Sequence, residues 1–566
     1  MRHITAFVLS GVCLTLTGCQ TMTSVATSAK APVAKIEPAE LEKHGHVRVD
    51  NSSWLKDRDN PEVIEYLKEE NEYTGQMMAH TKKFEEALFE EIKGRIKQDD
   101  ASAPYRENGY WYYTRYEEGG EYPLYCRKQG TLEAAEEIML NVNELAKGHE
   151  FYAVAAVRVT ENRNIVSYAV DTTGRRIYSV RFKNLETGEN LDDALDSVTA
   201  NSAWANDSKT ILYARQDPVT LRYYRIYRHT LGADQSEDKL IYEETDETFS
   251  CYVWKTKSKK YLMIGSYQTL SSEIRYADAN KPKGKFKVFL PRERDHEYEI
   301  DHFKDKFYIY TNYKAKNFRL METKVGRNAK DNWRDVIPHR EDVLLESTEL
   351  FNDFLVVKER KNGLTQIQVR PWDGSGAHYL DFGEPTYDAG FGKNKDFDTK
   401  LLRYHYTSMT TPGTDYDYDM TTREKTLIKR EEVLGGFDPE DYVTERLFAT
   451  ADDGAQVPIS ICYKKSLQKD GANPVLLYGY GSYGYSMDAN FRSYRYSLID
   501  RGFIYAIAHV RGGQELGRQW YEDGKLLNKK NTFTDFIACA KHLVSEKYTS
   551  PEKLYAYGGS AGGLLV

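Results

Sequence analysis

The sequence predicts two kinds of folded part, a β-propeller followed by an α/β domain. Between about residues 113 and 440, short Tyr-, Val- and Ile-rich runs alternate with Asp, Asn, Gly and Lys turns, without a helical stretch. The runs recur loosely about every 45 to 55 residues, a period typical of propeller blades. A pair of β-sandwiches is the alternative. From about residue 441, strand-like apolar runs alternate with helical patterns, which indicates a mainly parallel sheet.

Length and composition agree with this division. A chain of 566 residues exceeds what one ordinary hydrophobic core holds. Apolar residues make up 40% and charged residues 29%, as in soluble globular proteins. The 44 tyrosines favour strands. The net charge of −8 argues against nucleic-acid binding and mildly favours a cationic partner.

The first residues predict export. Arg2 and His3 precede an apolar run, residues 4–17, that is too short to span a bilayer comfortably. The run ends in Leu-Thr-Gly-Cys19, which resembles the lipobox of bacterial lipoproteins. We therefore expect a signal peptide over 1–19, lipidation of Cys19 and a flexible tether over 20–40. An ordinary cleaved signal and an uncleaved anchor are the alternatives. Gln20 indicates outer-membrane sorting, hence a periplasmic or outer-membrane lipoprotein of a Gram-negative bacterium.

The remaining local patterns are structural. Residues 60–96 have helical spacing, with Asn60 as the cap and Pro61 at the first helical position. Four further cysteines are widely spaced without metal-ligand clustering, so we expect buried free thiols and neither a metal nor an organic cofactor: Cys126, Cys251, Cys462 and Cys539.

The α/β part is predicted element by element. Asp453-Gly454 marks a hairpin turn. A helix over 532–547 opens with a Thr-x-x-Asp cap and places Ile537 on its apolar face. The other expected elements are strands over 474–481, 502–510 and 553–557 and a helical stretch over 491–501.

The strand ending at Tyr557 leads into a G-x-S-x-G sequence: Gly558, Gly559, Ser560, Ala561, Gly562 and Gly563. Between a strand and a helix, this pattern is typical of a nucleophile elbow, a turn so tight that its flanks demand glycine and its serine Oγ is exposed. The Ala561 N–H then faces developing negative charge. A glycine-rich turn of purely structural purpose is the alternative.

Several stretches carry a resemblance to a known family. "YGYGSYG", "AHVRGGQELGRQWYEDGKLLNKKNTFTDF" and "YTSPEKLYAYGGSAGG" resemble the prolyl oligopeptidase family of serine peptidases, in particular its oligopeptidase B type. The resemblance implies an α/β-hydrolase domain built from both chain ends, with a seven-bladed propeller inserted between them. The implied parts are an N-terminal helical segment over 41–112, the propeller over 113–440 and the catalytic part over 441–566.

The resemblance also implies residue roles. Ser560 would be the nucleophile, and the Tyr480 hydroxyl would form an oxyanion hole with the Ala561 N–H. Tyr483 matches a position that lines the first specificity pocket. Asp488 and Asn490 stand where oligopeptidase B has an acidic pair that favours a second basic residue, so half of that pair is neutral here. A core role for Tyr480 and a solvent-facing role for Asp488 are the alternatives.

The implied activity is that of a serine endopeptidase cleaving short, basic peptides after Arg or Lys through an acyl-enzyme. Another α/β-hydrolase, an acylaminoacyl peptidase or esterase, is an alternative, as is a non-catalytic lipid-anchored propeller that binds partners.

The sequence after Ser560 contains neither a histidine nor a carboxylate that could act with the serine. A serine nucleophile needs a histidine base and a carboxylate, and in this fold both follow the serine. Val566 comes only six positions after Ser560 (566 − 560), so we expect a C-terminally truncated fragment that is inactive alone. His509 and His542 precede the elbow, in a buried strand end and a helix, and we interpret both as structural.

Overall fold

The computed structural model describes residues 29–566. The predicted signal peptide, Cys19 and the first part of the predicted tether lie outside the described residues. Contacts divide the chain into two compact units, with the boundary between Glu91 and Ile92.

The first unit contains a hairpin and a long helix. Strands β1 (Ala39–Lys43) and β2 (His46–Asp50) pair antiparallel, and α1 spans Pro61–Met77. The Asn60 side chain accepts a hydrogen bond of 2.9 Å from the Glu62 N–H, and Pro61 occupies the first helical position, which confirms the predicted cap. Helix α2 (Lys82–Gly94) begins in this unit.

Residues 105–430 form seven four-stranded antiparallel sheets, each made of four consecutive strands, and these are the blades of a propeller. The first three blades consist of β3 (Tyr105–Glu107), β4 (Tyr110–Arg115), β5 (Leu124–Gln129) and β6 (Glu136–Asn141), followed by the short helix α3 (Val142–Leu145); β7 (Ala153–Val159), β8 (Ile165–Asp171), β9 (Tyr178–Asn184) and β10 (Asn190–Val198); and β11 (Ser202–Trp204), β12 (Thr210–Gln216), β13 (Tyr223–Thr230) and β14 (Lys239–Glu243).

The other four blades consist of β15 (Ser250–Lys255), β16 (Tyr261–Gln268), β17 (Ser271–Asp278) and β18 (Lys287–Leu290); β19 (Tyr298–Phe303), β20 (Lys306–Thr311), β21 (Arg319–Lys324) and β22 (Arg334–Ile337); β23 (Val343–Leu350), β24 (Phe354–Lys361), β25 (Leu364–Pro371) and β26 (His378–Tyr379); and β27 (Tyr387–Phe391), β28 (Leu401–Ser408), β29 (Thr414–Asp419) and β30 (Lys425–Arg430). The first blade begins at Tyr105, before the boundary predicted at residue 113, because β3 pairs with β4.

The α/β part is built on one five-stranded sheet in the order β31-β32-β34-β33-β35. Its strands are β31 (Tyr442–Thr450), β32 (Gln456–Lys464), β33 (Val475–Tyr478), β34 (Ile504–Ala508) and β35 (Leu554–Tyr557). Its helices are α4 (Tyr496–Ile499), α5 (Arg518–Glu522), α6 (Lys530–Ser545) and α7 (Ala561–Leu565). Strands β34, β33 and β35 run parallel, whereas β31 and β32 form the predicted hairpin and β32 pairs antiparallel with β34. The sheet is therefore mixed and not mainly parallel.

Helix α6 packs on this sheet but begins differently from its prediction. Thr532 does not cap the helix; it lies buried in the first turn and donates a hydrogen bond of 2.7 Å to the Arg511 carbonyl. Asp535 forms a buried ion pair with Arg511 at 2.6 Å. Thr532 and Asp535, which have the residue types of a helix cap, thus make tertiary contacts with Arg511. Ile537, expected on the buried face, is 51% exposed.

Two further findings concern thiols and membranes. Cys126, Cys251, Cys462 and Cys539 are free and buried, as predicted. Among residues 29–566, no helix has both the length and the apolar character needed to cross a bilayer.

Candidate active site

The carboxyl ends of two neighbouring parallel strands bring Tyr480 and Ser560 to the same edge of the sheet. In the β33–β35 pair, Tyr478 lies opposite Tyr557. Tyr480 follows the first of these residues by two positions, and Ser560 follows the second by three. Loops after the carboxyl ends of parallel strands are where α/β folds place their ligands, so this edge is the candidate site.

Ser560 is the residue at the turn between β35 and α7. Its backbone has φ 56° and ψ −119°, a conformation that non-glycine residues rarely adopt and that stores strain. Its side chain is exposed. The Ala561 N–H donates no hydrogen bond within the described residues. The predicted strand–turn–helix context of the motif is therefore present.

Two of the four motif glycines are required by space. A Cβ at Gly558 would lie 2.1 Å from the Gly562 carbonyl oxygen, and one at Gly562 would lie 2.5 Å from the Gly479 carbonyl oxygen. Gly559 has no atom within 4 Å of such a Cβ, and the nearest atom at Gly563 is 3.8 Å away. The tight approach at Gly562 places the elbow directly against the segment that carries Tyr480. The Tyr480 Cα would lie 3.5 Å from a Cβ at Gly562.

The loop after β33 presents a row of tyrosines. The Tyr480 ring meets the Tyr485 ring edge to face, with centroids 5.9 Å apart. Tyr483 has φ 60° and is 72% exposed, so its ring is open to solvent.

Two polar residues from neighbouring segments support this loop. Gln514 Nε2 donates a hydrogen bond of 2.8 Å to the Gly484 carbonyl, and Lys529 Nζ donates one of 2.7 Å to Ser482 Oγ. Gln514 follows β34 and Lys529 precedes α6, so two neighbouring segments fix the loop. The spacing of these residues carries no signal that would have identified them.

Arg511, Glu515 and Trp520, in the segment after β34, are buried. The Glu515 carboxylate accepts a hydrogen bond of 2.8 Å from the Met487 N–H. His509 Nε2 lies 2.8 Å from Ser460 Oγ in the interior, which agrees with a structural role. In the described part of the chain, neither His509 nor His542 hydrogen bonds to Ser560.

The Asp488 carboxylate has a cationic partner within the protein. Arg360 of the sixth blade binds both Asp488 oxygens, at 2.6 and 3.1 Å, and also Glu346 at 2.6 Å. Burial works against the charge on Arg360, but the two carboxylates raise its pKa above the usual value. Asn490 accepts a hydrogen bond of 2.6 Å from Arg495 at its carbonyl and does not line the cavity described next.

A cavity of about 380 Å³ lies between the propeller and the loops after β33 and β34. Tyr485, Gln514 and Arg518 line it on the α/β side. Its wall has four carboxylates, Glu297, Glu299, Glu346 and Asp488, and two guanidinium groups, Arg360 and Arg518. Arg518 forms an ion pair with Glu297 at 2.6 Å. Because carboxylates outnumber cations, the cavity favours a positively charged group.

Comparisons with known proteins agree with the fold and with the site. Residues 31–431 match the family described as "Prolyl oligopeptidase, N-terminal beta-propeller domain", and residues 489–566 match "Prolyl oligopeptidase family". The chain is 43% identical to dipeptidyl aminopeptidase BI of Pseudoxanthomonas mexicana, over 96% of this chain and 78% of the relative. It is 37% identical to protease 2 of Moraxella lacunata, over 95% and 78%.

Among solved structures, oligopeptidase B from Leishmania major superposes with a TM-score of 0.90 at 35% identity, covering 95% of this chain and 80% of that one. The propeller and the α/β-hydrolase part are thus those that the sequence predicted. The chain belongs to the prolyl oligopeptidase family of serine peptidases.

Proposed function

We propose that this chain provides the nucleophile and oxyanion hole of an oligopeptidase that cleaves short peptides through an acyl-enzyme on Ser560. One observation carries the proposal: an exposed Ser560 on a strained elbow, directly beside the chain that carries Tyr480. Ser560 Oγ attacks the scissile carbonyl carbon, and the Ala561 N–H and the Tyr480 hydroxyl donate hydrogen bonds to the resulting oxyanion. The amine leaves with a proton, and water then releases the acyl group.

Proton transfer from Ser560 requires a general base, a role that histidine fills in this chemistry. Neither His509 nor His542 takes that role in this proposal, since His509 lies buried against Ser460.

A fluorophosphonate probe tests the nucleophile. We expect the full-length enzyme to be labelled at Ser560 and its Ser560→Ala variant to remain unlabelled. Labelling that persists in the variant would assign the reaction to another residue. An intact protein that does not react would favour the non-catalytic, partner-binding alternative.

We propose a preference for cleavage after Arg or Lys. The excess of carboxylates in the cavity beside Tyr485 supports it, as does the similarity to oligopeptidase B. Hydrolysis of an Arg-amide, a Pro-amide and a short-chain ester by the same preparation tests this preference. The proposal expects the Arg-amide to have the highest kcat/KM; a faster ester would favour the esterase alternative.

A second candidate activity is removal of dipeptides from free amino termini. The observation that favours it is the 43% identity to a relative named dipeptidyl aminopeptidase. Matched Xaa-Arg amides with a free or an acetylated amino group separate the two activities. Loss of hydrolysis on acetylation supports dipeptide removal, whereas equal hydrolysis supports the endopeptidase.

We also propose that the protein is exported and anchored by a lipid on Cys19, because the sequence before that residue resembles a lipobox. Metabolic labelling with a palmitate analogue tests this anchor. The wild-type protein should incorporate the label and fractionate with the outer membrane, and Cys19→Ser should do neither. An unlabelled wild-type protein in the periplasmic fraction would indicate an ordinary cleaved signal.

A further inference from the structure

Glu299, on strand β19, stands at the boundary between two cavities. The first is the cavity of about 380 Å³ that reaches Tyr485. The second, of about 410 Å³, is bordered by Glu299 and the side chains of Tyr252, Trp254, Tyr267 and Ile300 in the fourth and fifth blades. Glu299 and Tyr267 line both cavities and so form the wall that the two share.

Glu299 differs from the other three carboxylates of the first cavity in having no cationic partner. Glu297 pairs with Arg518, and Glu346 and Asp488 share Arg360. Among residues 29–566, Glu299 has neither an ion pair nor a side-chain hydrogen bond, yet it remains accessible to water. Desolvation by the surrounding walls raises its pKa above the ordinary value. Its negative charge is therefore uncompensated within the protein.

Three aromatic side chains line the second cavity together with this carboxylate. The Tyr267 ring lies 6.1 Å from the Tyr252 ring and 6.4 Å from the Trp254 ring, measured between centroids. The Tyr267 hydroxyl has no hydrogen-bond partner in the described part of the chain. Ring faces attract ammonium and guanidinium groups, and a carboxylate binds the same groups through charge-assisted hydrogen bonds. Both features select the same chemical class of ligand.

We propose that Glu299, with Tyr252, Trp254 and Tyr267, binds a cationic group of the peptide substrate at a distance from the scissile bond. The inference rests on the proposed peptidase function. Tyr485 connects the two regions, since it lines the first cavity and packs on Tyr480. A peptide that extends from the elbow into the cavity brings its preceding residues toward Glu299. The cation is either the free α-ammonium group or a Lys or Arg side chain, which share this chemistry.

Binding measured by calorimetry on a Ser560→Ala background tests the site without catalysis. The probes are four tetrapeptide amides that carry Lys or norleucine at the first position and a free or an acetylated amino terminus. We expect Glu299→Gln to weaken binding of the peptides whose cation occupies the site by about tenfold, as for a hydrogen bond to a charged group. The acetylated norleucine peptide should bind equally to both proteins.

The peptide change that removes the effect of Glu299→Gln on binding identifies the source of the cation. If acetylation removes the effect of Glu299→Gln, the α-ammonium group is bound; if norleucine removes it, the side chain is bound. Glu247→Gln is the matched control, because it removes an exposed carboxylate that borders neither cavity. Trp254→Leu should weaken binding of the same peptides as Glu299→Gln does. It provides a second variant if one of the two unfolds.

If each of the four peptides binds the Glu299→Gln protein as tightly as the parent protein, the proposal is overturned. An equal loss across all four, including the neutral peptide, would overturn it too, because the effect would not depend on charge. Failure of the peptidase proposal gives a different result. The enzyme that retains Ser560 would then hydrolyse no peptide, while the charge-dependent binding to the Ser560→Ala protein would persist.

Discussion

Arg360 of the sixth blade and Asp488 of the loop after β33 form a two-point ion pair, with nitrogen–oxygen distances of 2.6 and 3.1 Å. The Arg360 side chain is only 3% exposed. The pair joins the propeller to the loop that follows Tyr480 and Tyr485, and Glu346 binds the same guanidinium group. The position of the active-site loop therefore depends on a residue of the propeller.

Replacement of Arg360 should destabilise the protein strongly. Arg360→Met leaves Asp488 without its cation and Glu346 with Lys358 alone, and we expect a loss of about 3 kcal/mol in the free energy of unfolding. Urea titration followed by tryptophan fluorescence measures it. The exposed pair of Arg181 with Asp196 gives a control, and Arg181→Met should cost under about 1 kcal/mol. Equal costs for the two variants would contradict the structural role of Arg360.

The elbow glycines should differ in their tolerance of a methyl group. Gly562→Ala pushes a Cβ to 2.5 Å from the Gly479 carbonyl oxygen, and no flexible side chain is available to yield. We expect fluorophosphonate labelling of Ser560 to slow by about a hundredfold, since misplaced catalytic groups cost rate steeply. Gly559→Ala is the matched control, because nothing lies within 4 Å of its Cβ, and it should label at the parent rate. A slow Gly559→Ala variant would show that crowding does not determine the geometry.

The elbow and the Arg360–Asp488 ion pair differ in how far the sequence predicts them. The elbow motif lies in one continuous segment, Gly558 to Gly562, so its strand–turn–helix pattern is readable from the sequence, although the contact of Gly562 with Gly479 is not. Arg360 and Asp488 lie 128 positions apart, and each looks like an ordinary charged residue of a strand or loop. The partner that compensates Asp488 therefore could not be predicted from either segment alone.

Helix α6 shows a second limit. Thr532 and Asp535 have the residue types and spacing of a helix cap, yet the Thr532 hydroxyl bonds to the Arg511 carbonyl and the Asp535 carboxylate to the Arg511 guanidinium. Hydroxyl and carboxylate groups satisfy backbone and tertiary partners equally well, so only the position of Arg511 decides between them. The propeller, in contrast, was predictable because its signal repeats seven times, and a single misread strand does not remove the period.

The Tyr480 hydroxyl should act in the chemical step and contribute little to folding. Tyr480→Phe removes one proposed donor to the oxyanion and keeps the ring that packs on Tyr485. We expect kcat to fall by about 100- to 1000-fold with KM and the melting temperature nearly unchanged. Tyr485→Phe, on the other ring of the pair, serves as the control and should retain most of the activity. A Tyr480→Phe enzyme that is fully active would remove this hydroxyl from the oxyanion hole.

Stability should decrease in acid through a buried histidine of the fifth blade. His296 is 5% exposed, and its Nε2 lies 3.0 Å from Thr311 Oγ1. Burial, with a smaller effect of Lys330, lowers its pKa from 6.5 to about 4. Because the unfolded chain takes up a proton below pH 6.5 and the folded protein does not, the free energy of unfolding should fall as the pH drops from 6.5 to 4. The full loss amounts to about 3 kcal/mol.

Urea unfolding at several pH values across this window measures the effect. His296→Gln should be less stable than the parent at pH 7 but lose less stability on acidification, since one proton-uptake site is gone. His302, also buried, has its pKa lowered to about 4 for the same main reason, so the double variant should have a still flatter profile. If the parent and His296→Gln lose stability in parallel, His296 does not cause the acid sensitivity, because a neutral buried imidazole must make the slopes differ.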